Sequence, residues 1–404
     1  MGFLKVSENG HYFVKDGAPF FWMGDTLWPA ASMYSEEELE FYFNLRKEQG
    51  FNVVHIMLPW ASFNGDLIIT NKGTNTDELP FWLNNNPATP NEEYFKLVDM
   101  VVRIAAKHDI IIAMLPCGGG SGTFVQYKEI ITAKNARAYA KWLAERYKDE
   151  PGVLWVNGFD LPPWRYDDVA YEFAAGINEV GGNQLSFYHP CGGTSSNHFH
   201  CEDWLAANFI QTWGNYEIIQ DMVLADYYRR PYKPVVHVEG AYEAGIEYPT
   251  RISAGLVRRQ AYTSYLSGGF HTYGHNDLWR KTPYWRDCLK TKGAASMKAL
   301  KDLFASLEWW KLIPDNTLFG IGHSGAHAAS ISEDNDFAVL YFAHRAERLV
   351  YTGRIGGGGP VRATWIDPES GVQVSDSVIR EKEFLFYSPA CCDDAVLLLR
   401  QVNE

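Results

Sequence analysis

The stretch from Lys233 to Glu243 reads KPVVHVEGAYE, and we expect it to decide the fold. A short β-branched run follows Pro234 and ends on Glu239 beside a glycine, which is typical of a buried parallel strand. A carboxylate at the end of such a strand should face a polar cleft, because burying an unpaired charge is costly. The stretch VLWVNGFD, from Val153 to Asp160, has the same design. Two acids at the ends of two strands are the minimum apparatus for hydrolysing a glycosidic bond.

Outward from these two strands, strand-like and helix-like segments alternate along the chain. The eight predicted strands are Phe20–Gly24, Asn52–Met57, Ile110–Leu115, Val153–Asp160, Leu185–His189, Asn208–Thr212, Val235–Glu239 and Gly268–His271. This count predicts an α/β fold, a closed (β/α)8 TIM barrel, with Asp160 after strand four and Glu239 after strand seven. A doubly wound open sheet is the alternative, but no Gly-x-Gly-x-x-Gly motif follows the first strand.

The two ends of the chain show a different pattern. Residues Leu4 to Phe20 alternate and turn at Asp16-Gly17, which predicts a β-hairpin that closes one end of the barrel. After Pro314 the chain changes to short alternating strands separated by turns, which predicts a small antiparallel β-sandwich. We therefore expect a catalytic barrel over residues 1–312 and a sandwich domain over residues 313–404.

Composition limits the partners of this 404-residue chain. The net charge of -13 argues against nucleic acid and against an anionic membrane surface. Aromatic residues make up 15% of the chain, with 14 Trp, which suits sugar-binding platforms, although a large aromatic core accounts for part of this. No stretch has the length of a membrane span, and the amino terminus lacks the pattern of a signal peptide. We expect a carbohydrate substrate and a cytoplasmic location, or a secreted or periplasmic one if a leader was removed; the oligomeric state stays open.

Several polar and aromatic side chains follow the predicted strands and are candidates for contact with a sugar. The candidates are Asp25, Trp28, His55, Trp60, His189, Gln211, Trp213, Tyr242, His271, Tyr273, His275 and Trp279, with Trp164 as a further platform. The polarity of strand eight argues against core packing and favours His271, Tyr273 and His275 as sugar contacts. Tyr242 is expected to donate to Glu239. The alternatives are helix capping for Asp25 and core packing for the tryptophans and histidines.

Other motifs argue against a cofactor. The run His198-Phe199-His200-Cys201 presents two ligands to one side of a strand, but no spaced partner pair completes a zinc site. The glycine run Gly118–Gly122 lacks the lysine of a phosphate-binding loop, and no Gly-x-Ser-x-Gly motif is present. We expect neither a metal nor a cofactor.

Four stretches of the chain carry a family resemblance. They are FFWMGDTLW at Phe20–Trp28, KEQGFN at Lys47–Asn52, SGGFHTYGHNDLW at Ser267–Trp279 and WIDPESG at Trp365–Gly371. Together they resemble the apiosidase-like barrel family, which is glycoside hydrolase family 140 and its relatives. The resemblance implies Asp160 as acid/base and Glu239 as nucleophile. The family usually reads Gly-Gly-Asp-Arg at the acid/base, whereas Phe159 and Leu161 flank Asp160 here, which changes the wall of the sugar pocket.

The resemblance implies a retaining, exo-acting glycosidase of plant cell-wall glycans or plant glycosides, with β-D-apiosides as substrate. Alternatives are another β-furanoside, such as an arabinofuranoside or a galactofuranoside, or a carbohydrate-binding protein on a barrel without catalysis. Structural acids that cap helices are the alternative for the pair. A retaining pair should lie about 5 Å apart and an inverting pair about 8 Å apart.

Overall fold

A computed structural model describes residues 1–59, 79–117, 130–158, 160–320 and 327–402. Trp60, Phe159 and the glycine run Gly118–Gly122 lie outside these ranges, so the predictions that concern them are left as they stand. No helix in the described ranges is long and apolar enough to cross a membrane.

Eight parallel strands form the central sheet, and a two-residue strand extends it. The nine strands are β4 (Met23–Thr26), β5 (Val53–Met57), β6 (Ile111–Leu115), β7 (Val153–Gly158), β8 (Ser186–His189), β9 (Thr194–Ser195), β10 (Asn208–Gln211), β11 (Val235–Glu239) and β12 (Phe270–Tyr273). Their order is β8-β7-β6-β5-β4-β12-β11-β10-β9. The sheet curls until β8 reaches the segment before β10, where the Ala206 amide donates to the Ser186 carbonyl at 2.9 Å. The predicted α/β barrel is confirmed.

In the part of the chain that the structure describes, seven principal helices cover the outside of the barrel. They are α1 (Glu36–Glu48), α2 (Glu92–Lys107), α3 (Ala133–Tyr147), α4 (Asp167–Val180), α5 (Ile219–Tyr227), α6 (Ala254–Leu266) and α7 (Lys292–Ala305). The first begins as its sequence predicts, because Ser35 and Glu38 form a reciprocal capping box and three glutamates occupy the first turn. Between α6 and α7 lie two four-residue helices, Asn276–Trp279 and Trp285–Cys288.

An antiparallel ribbon closes the amino-terminal end of the barrel. It consists of β1 (Lys5–Val6), β2 (Phe13–Lys15) and β3 (Ala18–Phe20), with Asp16 and Gly17 at positive φ in the predicted turn. The Phe13 ring packs 5.3 Å from Trp22 and 5.8 Å from Phe270, residues at the starts of barrel strands. The opposite end, where the strands finish, is therefore the end left for a binding site.

Strand eight lies two residues later than predicted. Helix α6 ends at Leu266, and Gly268 has a φ of 87°, so the Gly268-Gly269 pair forms the turn between helix and strand instead of starting the strand. The Gly269 amide donates to the Ser264 carbonyl in this turn. As a result β12 covers Phe270–Tyr273 and carries Tyr273 into the sheet.

The C-terminal residues form two antiparallel sheets. Their strands are β13 (Leu312–Pro314), β14 (Ala328–Ser332), β15 (Phe337–Phe342), β16 (Glu347–Val350), β17 (Val361–Ile366), β18 (Gln373–Ile379), β19 (Phe384–Tyr387) and β20 (Ala395–Gln401). Six of them pair in the order β13-β14-β15-β20-β17-β18, and β16 pairs with β19. The two sheets share a core in which Trp365 packs 5.0 Å from Phe342 and 6.1 Å from Phe386. Sequence reasoning missed β18, an edge strand whose side chains are almost all exposed.

A buried ion pair joins the barrel to the C-terminal sheets. Arg258 of α6 donates two hydrogen bonds, of 2.8 and 2.6 Å, to Asp394, and the Tyr341 hydroxyl donates a third to Asp394 at 2.6 Å. The Tyr341 ring stacks on Tyr262 of α6 with ring centres 4.7 Å apart. These contacts hold the C-terminal sheets against the outside of the barrel.

We expect Asp394→Asn to lower the free energy of unfolding by about 3 kcal/mol, because the buried Arg258 would lose its closest carboxylate and keep only Glu369, whose Oε2 lies 3.6 Å from Nη1. Denaturation in guanidinium chloride measures this change. The matched control is Asp376→Asn, which removes the carboxylate partner of Arg362 on the exposed face of the same sheet. Asp376→Asn should lower the free energy of unfolding by less than about 1 kcal/mol. Equal losses in the two variants would contradict the role given to the buried pair.

Candidate active site

Glu239 is the last residue of β11, at the carboxyl end of the barrel. Only 7% of its surface is exposed. Its register partner on the neighbouring strand is Gln211, the last residue of β10, and the pairing shifts by a β-bulge between Ile210 and Gln211. Such bulges at barrel rims re-aim side chains. The end of strand seven thus presents a nearly buried carboxylate beside an amide.

Asp160 lies two residues past the end of β7 in an unusual backbone conformation. Its φ is 48°, and Gly158 before it has a φ of 71°. A side chain on Gly158 would collide with the Tyr188 ring and the His189 carbonyl, so only glycine fits there. Trp213 and Ala244, after the ends of β10 and β11, also have positive φ. Strained non-glycine residues of this kind cluster at functional sites, and here they surround one rim of the barrel.

The structure brings Asp160, His189 and Glu239 together. One side-chain ligand atom of each lies within 4.8 Å of the others. The Nε2 atom of His189 is 3.4 Å from Glu239 Oε2, and its Nδ1 atom is 3.1 Å from the Pro190 carbonyl oxygen. Gln211 Nε2 donates to Asp160 Oδ1 at 2.6 Å. Four residues from four strand ends therefore form one polar cluster, and it is also the only His/Cys/Asp/Glu group in the described ranges with the spacing to hold a metal ion.

Aromatic side chains support this cluster from the barrel interior. Trp28 Nε1 donates to the Tyr242 hydroxyl at 2.8 Å, and the Trp28 ring lies 5.8 Å from the His189 ring. Because the Tyr242 oxygen accepts from Trp28, its own proton is available to the neighbouring carboxylate. Tyr242 lowers the pKa of Glu239 relative to the effect of burial alone, in the direction predicted from the sequence.

The two carboxyl groups have raised pKa values. Burial, followed by the negative charge of Glu239, raises the pKa of Asp160 to about 7, and burial raises the pKa of Glu239 to about 8. Burial lowers the pKa of His189 to about 4, so this imidazole is neutral at pH 7. Carboxyls this close titrate as a coupled pair.

The remaining sequence-predicted contacts at the rim are Trp213, Trp164 and Trp279. Trp213 is 44% exposed, and its ring centre is 5.0 Å from that of Tyr248. Trp164 is also exposed. Trp279 is half-buried, and the Arg280 guanidinium lies over its ring. Trp213, two residues past Gln211, therefore offers an exposed aromatic face on the chain segment that follows β10.

Two predicted sugar contacts are corrected because protein groups enclose them. Asp25 is fully buried and accepts hydrogen bonds from Arg46 Nε at 2.6 Å and from the Tyr42 hydroxyl at 2.7 Å. Its carboxylate is the counter-ion of a buried arginine. His55 is fully buried in the barrel interior, with Trp22 and Trp28 rings about 6 Å away. Neither side chain offers a surface to a sugar.

The prediction for strand eight is also corrected, because its polar side chains pair with each other or with neighbours. His271 Nδ1 lies 3.1 Å from His237 Nδ1, and the Tyr273 hydroxyl donates to Glu243 Oε2 at 2.5 Å. His275 accepts from the Asp277 amide and lines a separate surface cavity. Strand eight thus carries a buried polar network, not a sugar-binding wall.

In the run His198–Cys201, from which we expect no zinc site, the two histidines contact different protein groups. Both ring nitrogens of His200 have protein partners, Asn208 and the Pro231 carbonyl oxygen. His198 lies 3.6 Å from Asp167 instead. Two ligands on one side of this run would require a strand, but Ser196–Phe199 is a short 3-10 helix.

Sequence reasoning missed two residues of the rim. The Tyr248 hydroxyl accepts from the Tyr242 amide at 3.2 Å, which fixes the loop after Glu239. Glu247, beside Arg280, adds negative charge that raises the pKa of Glu239. The only signal in the sequence was their position in a glycine-containing loop directly after the strand that ends on Glu239.

The raised pKa of Glu239 predicts that this residue destabilises the fold at alkaline pH. A carboxyl whose folded pKa exceeds its unfolded value favours folding below the unfolded pKa, and this contribution is lost as the pH rises through the folded pKa. We therefore expect Glu239→Gln to be more stable than the parent at pH 8, by on the order of 2 kcal/mol. The difference should shrink towards pH 5. Urea denaturation across this range measures it, and a variant less stable than the parent at pH 8 would contradict the assignment.

A parallel barrel with two facing carboxyls at the ends of strands four and seven defines the class, and the chain is a glycoside hydrolase. More narrowly, it belongs to the Apiosidase-like family, because the model of the Apiosidase-like catalytic domain matches residues 7–311. The recognition made from sequence motifs is confirmed. A comparison with curated proteins found no match.

Solved structures agree with this classification. The chain is similar to a glycoside hydrolase family 5 protein from Bacteroides vulgatus, at 27% identity over 99% of this chain and 93% of that one, with a TM-score of 0.88. It is similar to a second protein, described as a glycoside hydrolase, at 27% identity over 100% and 98% of the two chains, with a TM-score of 0.85. A putative glycoside hydrolase from B. vulgatus shares the fold at 14% identity, covering 99% and 82%, with a TM-score of 0.73.

Proposed function

We propose that this chain is a retaining, exo-acting glycoside hydrolase in which Glu239 is the nucleophile and Asp160 is the acid/base. The observation that carries the proposal is the approach of the two carboxyls to within 4.8 Å. Retaining enzymes hold their carboxyls about 5 Å apart, whereas inverting enzymes leave about 6.5–9.5 Å for a water molecule. The separation therefore supports direct attack by a side chain.

In the first step, Glu239 attacks the anomeric carbon as the bond to the leaving oxygen breaks. Asp160 donates its proton to that oxygen, so the leaving group departs as an alcohol and a glycosyl ester of Glu239 remains. One proton shared by the pair is the state that this step needs. Burial, and then the negative charge of Glu239, raises the pKa of Asp160, so ionisation of Glu239 favours the protonated form of Asp160.

In the second step, ionised Asp160 takes a proton from water, and the water oxygen displaces Glu239 from the sugar. The hydrogen bond from Gln211 holds Asp160 in place through both steps. The neutral His189 lies against Glu239 without adding charge. The cycle ends with the sugar in its original anomeric configuration and with the proton back on Asp160.

The proposed substrate is a terminal β-D-apioside of plant cell-wall glycans or plant glycosides, because the chain belongs to the Apiosidase-like family. Trp213 offers an exposed aromatic face at the rim on which the apolar side of a sugar ring can stack. Another β-furanoside is the alternative, since Leu161 stands beside the acid/base where the family usually has a basic residue.

The test is a screen of the purified chain against aryl furanosides and pyranosides, including aryl β-D-apiofuranoside. Proton NMR of the fresh product then reports its anomeric configuration. We expect hydrolysis of the apioside with retention. Hydrolysis of an arabinofuranoside but not of the apioside would show that the substrate is another β-furanoside. A product of inverted anomeric configuration would overturn the retaining mechanism. Binding of sugars without turnover would make the protein a carbohydrate-binding barrel.

A further inference from the structure

We propose that Asp160, His189 and Glu239 form a binding site for Zn²⁺, through which the cation blocks the proposed hydrolysis. This inference rests on the proposed function only for its effect on activity; cation binding itself rests on the geometry of the three side chains. The chemical class of ligand is a borderline-soft divalent cation, for which one imidazole and two carboxylates are suitable ligands.

The spacing of the three ligand atoms is the first argument. They come from the ends of β8 and β11 and from the turn after β7, and all lie within 4.8 Å of one another. Zn²⁺ binds imidazole nitrogen and carboxylate oxygen at about 2.0–2.2 Å, so ligand atoms in a tetrahedral site are a little over 3 Å apart. The distance of 3.4 Å between His189 Nε2 and Glu239 Oε2 already meets this requirement.

The orientation of His189 is the second argument. Its Nδ1 atom faces the Pro190 carbonyl at 3.1 Å, and a carbonyl oxygen can only accept, so Nδ1 carries the ring proton. In the neutral imidazole, Nε2 then presents its lone pair towards the two carboxyls. A backbone carbonyl that holds the far nitrogen of a histidine is the usual outer partner of a zinc ligand.

The buried oxygen of Glu239 is the third and independent argument. Glu239 Oε2 is buried and has no hydrogen-bond donor among the described residues. A buried acceptor of this kind is costly, and its neighbour Asp160 is another acid. A cation between the three side chains would satisfy this oxygen and cancel the repulsion between the carboxyls.

The consequence for the enzyme is competition, because a cation held here occupies the space between nucleophile and acid/base. It ties up the Glu239 oxygen that would attack and the Asp160 oxygen that would carry the proton. Inhibition by Zn²⁺ should therefore be competitive with substrate and fully reversed by EDTA.

The experiment measures Zn²⁺ binding to the full chain without substrate. The chain is first treated with EDTA and dialysed, and ZnCl2 is added in differential scanning fluorimetry and calorimetry. We expect a rise in Tm of about 4 °C at a hundredfold excess over the Kd. All proteins carry Cys391→Ser, because the adjacent Cys391 and Cys392 sulfurs lie 3.7 Å apart and offer a competing thiol site.

His189→Gln is the first test variant, since the amide can keep the hydrogen bond to Pro190, and Asp160→Asn is the second. Each should weaken Zn²⁺ binding by more than about tenfold. The control is His198→Ala, which removes a histidine beside Asp167 and should bind Zn²⁺ like the parent. The proposed Zn²⁺ site would be overturned if Zn²⁺ did not raise the Tm of the parent. It would also be overturned if Zn²⁺ raised the Tm of both test variants as much as that of the parent.

These results are separable from a failure of the proposed function. A chain that binds Zn²⁺ through His189 but hydrolyses no glycoside would refute the proposed function and keep the cation site. A chain that hydrolyses an aryl glycoside at the same rate with and without Zn²⁺, and whose Tm does not rise with Zn²⁺, would keep the proposed function and refute the cation site.

Discussion

Replacement of Glu239 by glutamine is expected to lower kcat/KM on an aryl glycoside by about 10⁴-fold or more, which is the scale of loss when a nucleophile is removed. The amide has almost the same shape, so it can keep the contacts with His189 and with the end of β10. It cannot form a glycosyl ester, because a neutral amide oxygen is a poor nucleophile. Sugar binding, measured by calorimetry with the product, should remain.

The matched control for this variant is Glu217→Gln, directly before α5. The Glu217 side chain is 61% exposed and pairs with Arg259 Nη2 at 2.9 Å at the protein surface. Its replacement should change kcat/KM by no more than about twofold, as for most surface substitutions. If Glu239→Gln kept activity within tenfold of the parent, another residue would have to be the nucleophile. The stability measured at pH 8 would show whether a loss of activity reflects the missing nucleophile or misfolding.

The positions of the two central acids could be predicted from sequence because each signal is local. A short apolar run that ends on glycine and an acid specifies both a parallel strand and the end at which its acid lies. Since all strands of such a barrel run in one direction, Asp160 and Glu239 had to reach the same rim, more than seventy residues apart in the chain. The count of eight strands followed from the same periodicity.

The partners of polar residues could not be predicted, because they depend on packing between distant segments. Asp25 follows a strand, as a sugar-binding acid would, but Arg46 of α1 reaches it inside the protein. Tyr273 looked too polar for a core, and its hydroxyl is satisfied by Glu243. A polar side chain in a sequence is compatible with both a binding cleft and a buried hydrogen-bond network, and its tertiary contacts determine which of the two it joins.

The same limit applies to weakly patterned strands. Among the described strands, β18 pairs with β17 alone, so neither face has to be apolar, and the sequence QVSDSVI shows no strong alternation. Tyr248 likewise takes its place through a hydrogen bond to the Tyr242 backbone amide, which no side-chain pattern encodes. Edge strands and loop contacts are hard to predict from sequence, because they depend on hydrogen bonds to backbone groups and not on a pattern of side chains.

Replacement of Asp160 by alanine is expected to give a loss of activity that depends on the leaving group. For a substrate whose leaving group needs a proton, kcat/KM should fall by about 10²–10⁴-fold, the usual contribution of a general acid. For a 2,4-dinitrophenyl glycoside the first step needs no proton, so its kcat/KM should change little. The second step then becomes rate-limiting, since no base activates water.

Azide separates this role of Asp160 from a structural one, because the azide ion attacks the glycosyl ester without the help of a base. In Asp160→Ala it should raise kcat on the dinitrophenyl substrate and give a glycosyl azide of the same anomeric configuration as the substrate. The control is Asp167→Ala at the start of α4, an acid near the same rim that should change kcat/KM by no more than about twofold. An equal loss for all leaving groups, with no response to azide, would show that Asp160 supports the fold of the site and does not transfer the proton.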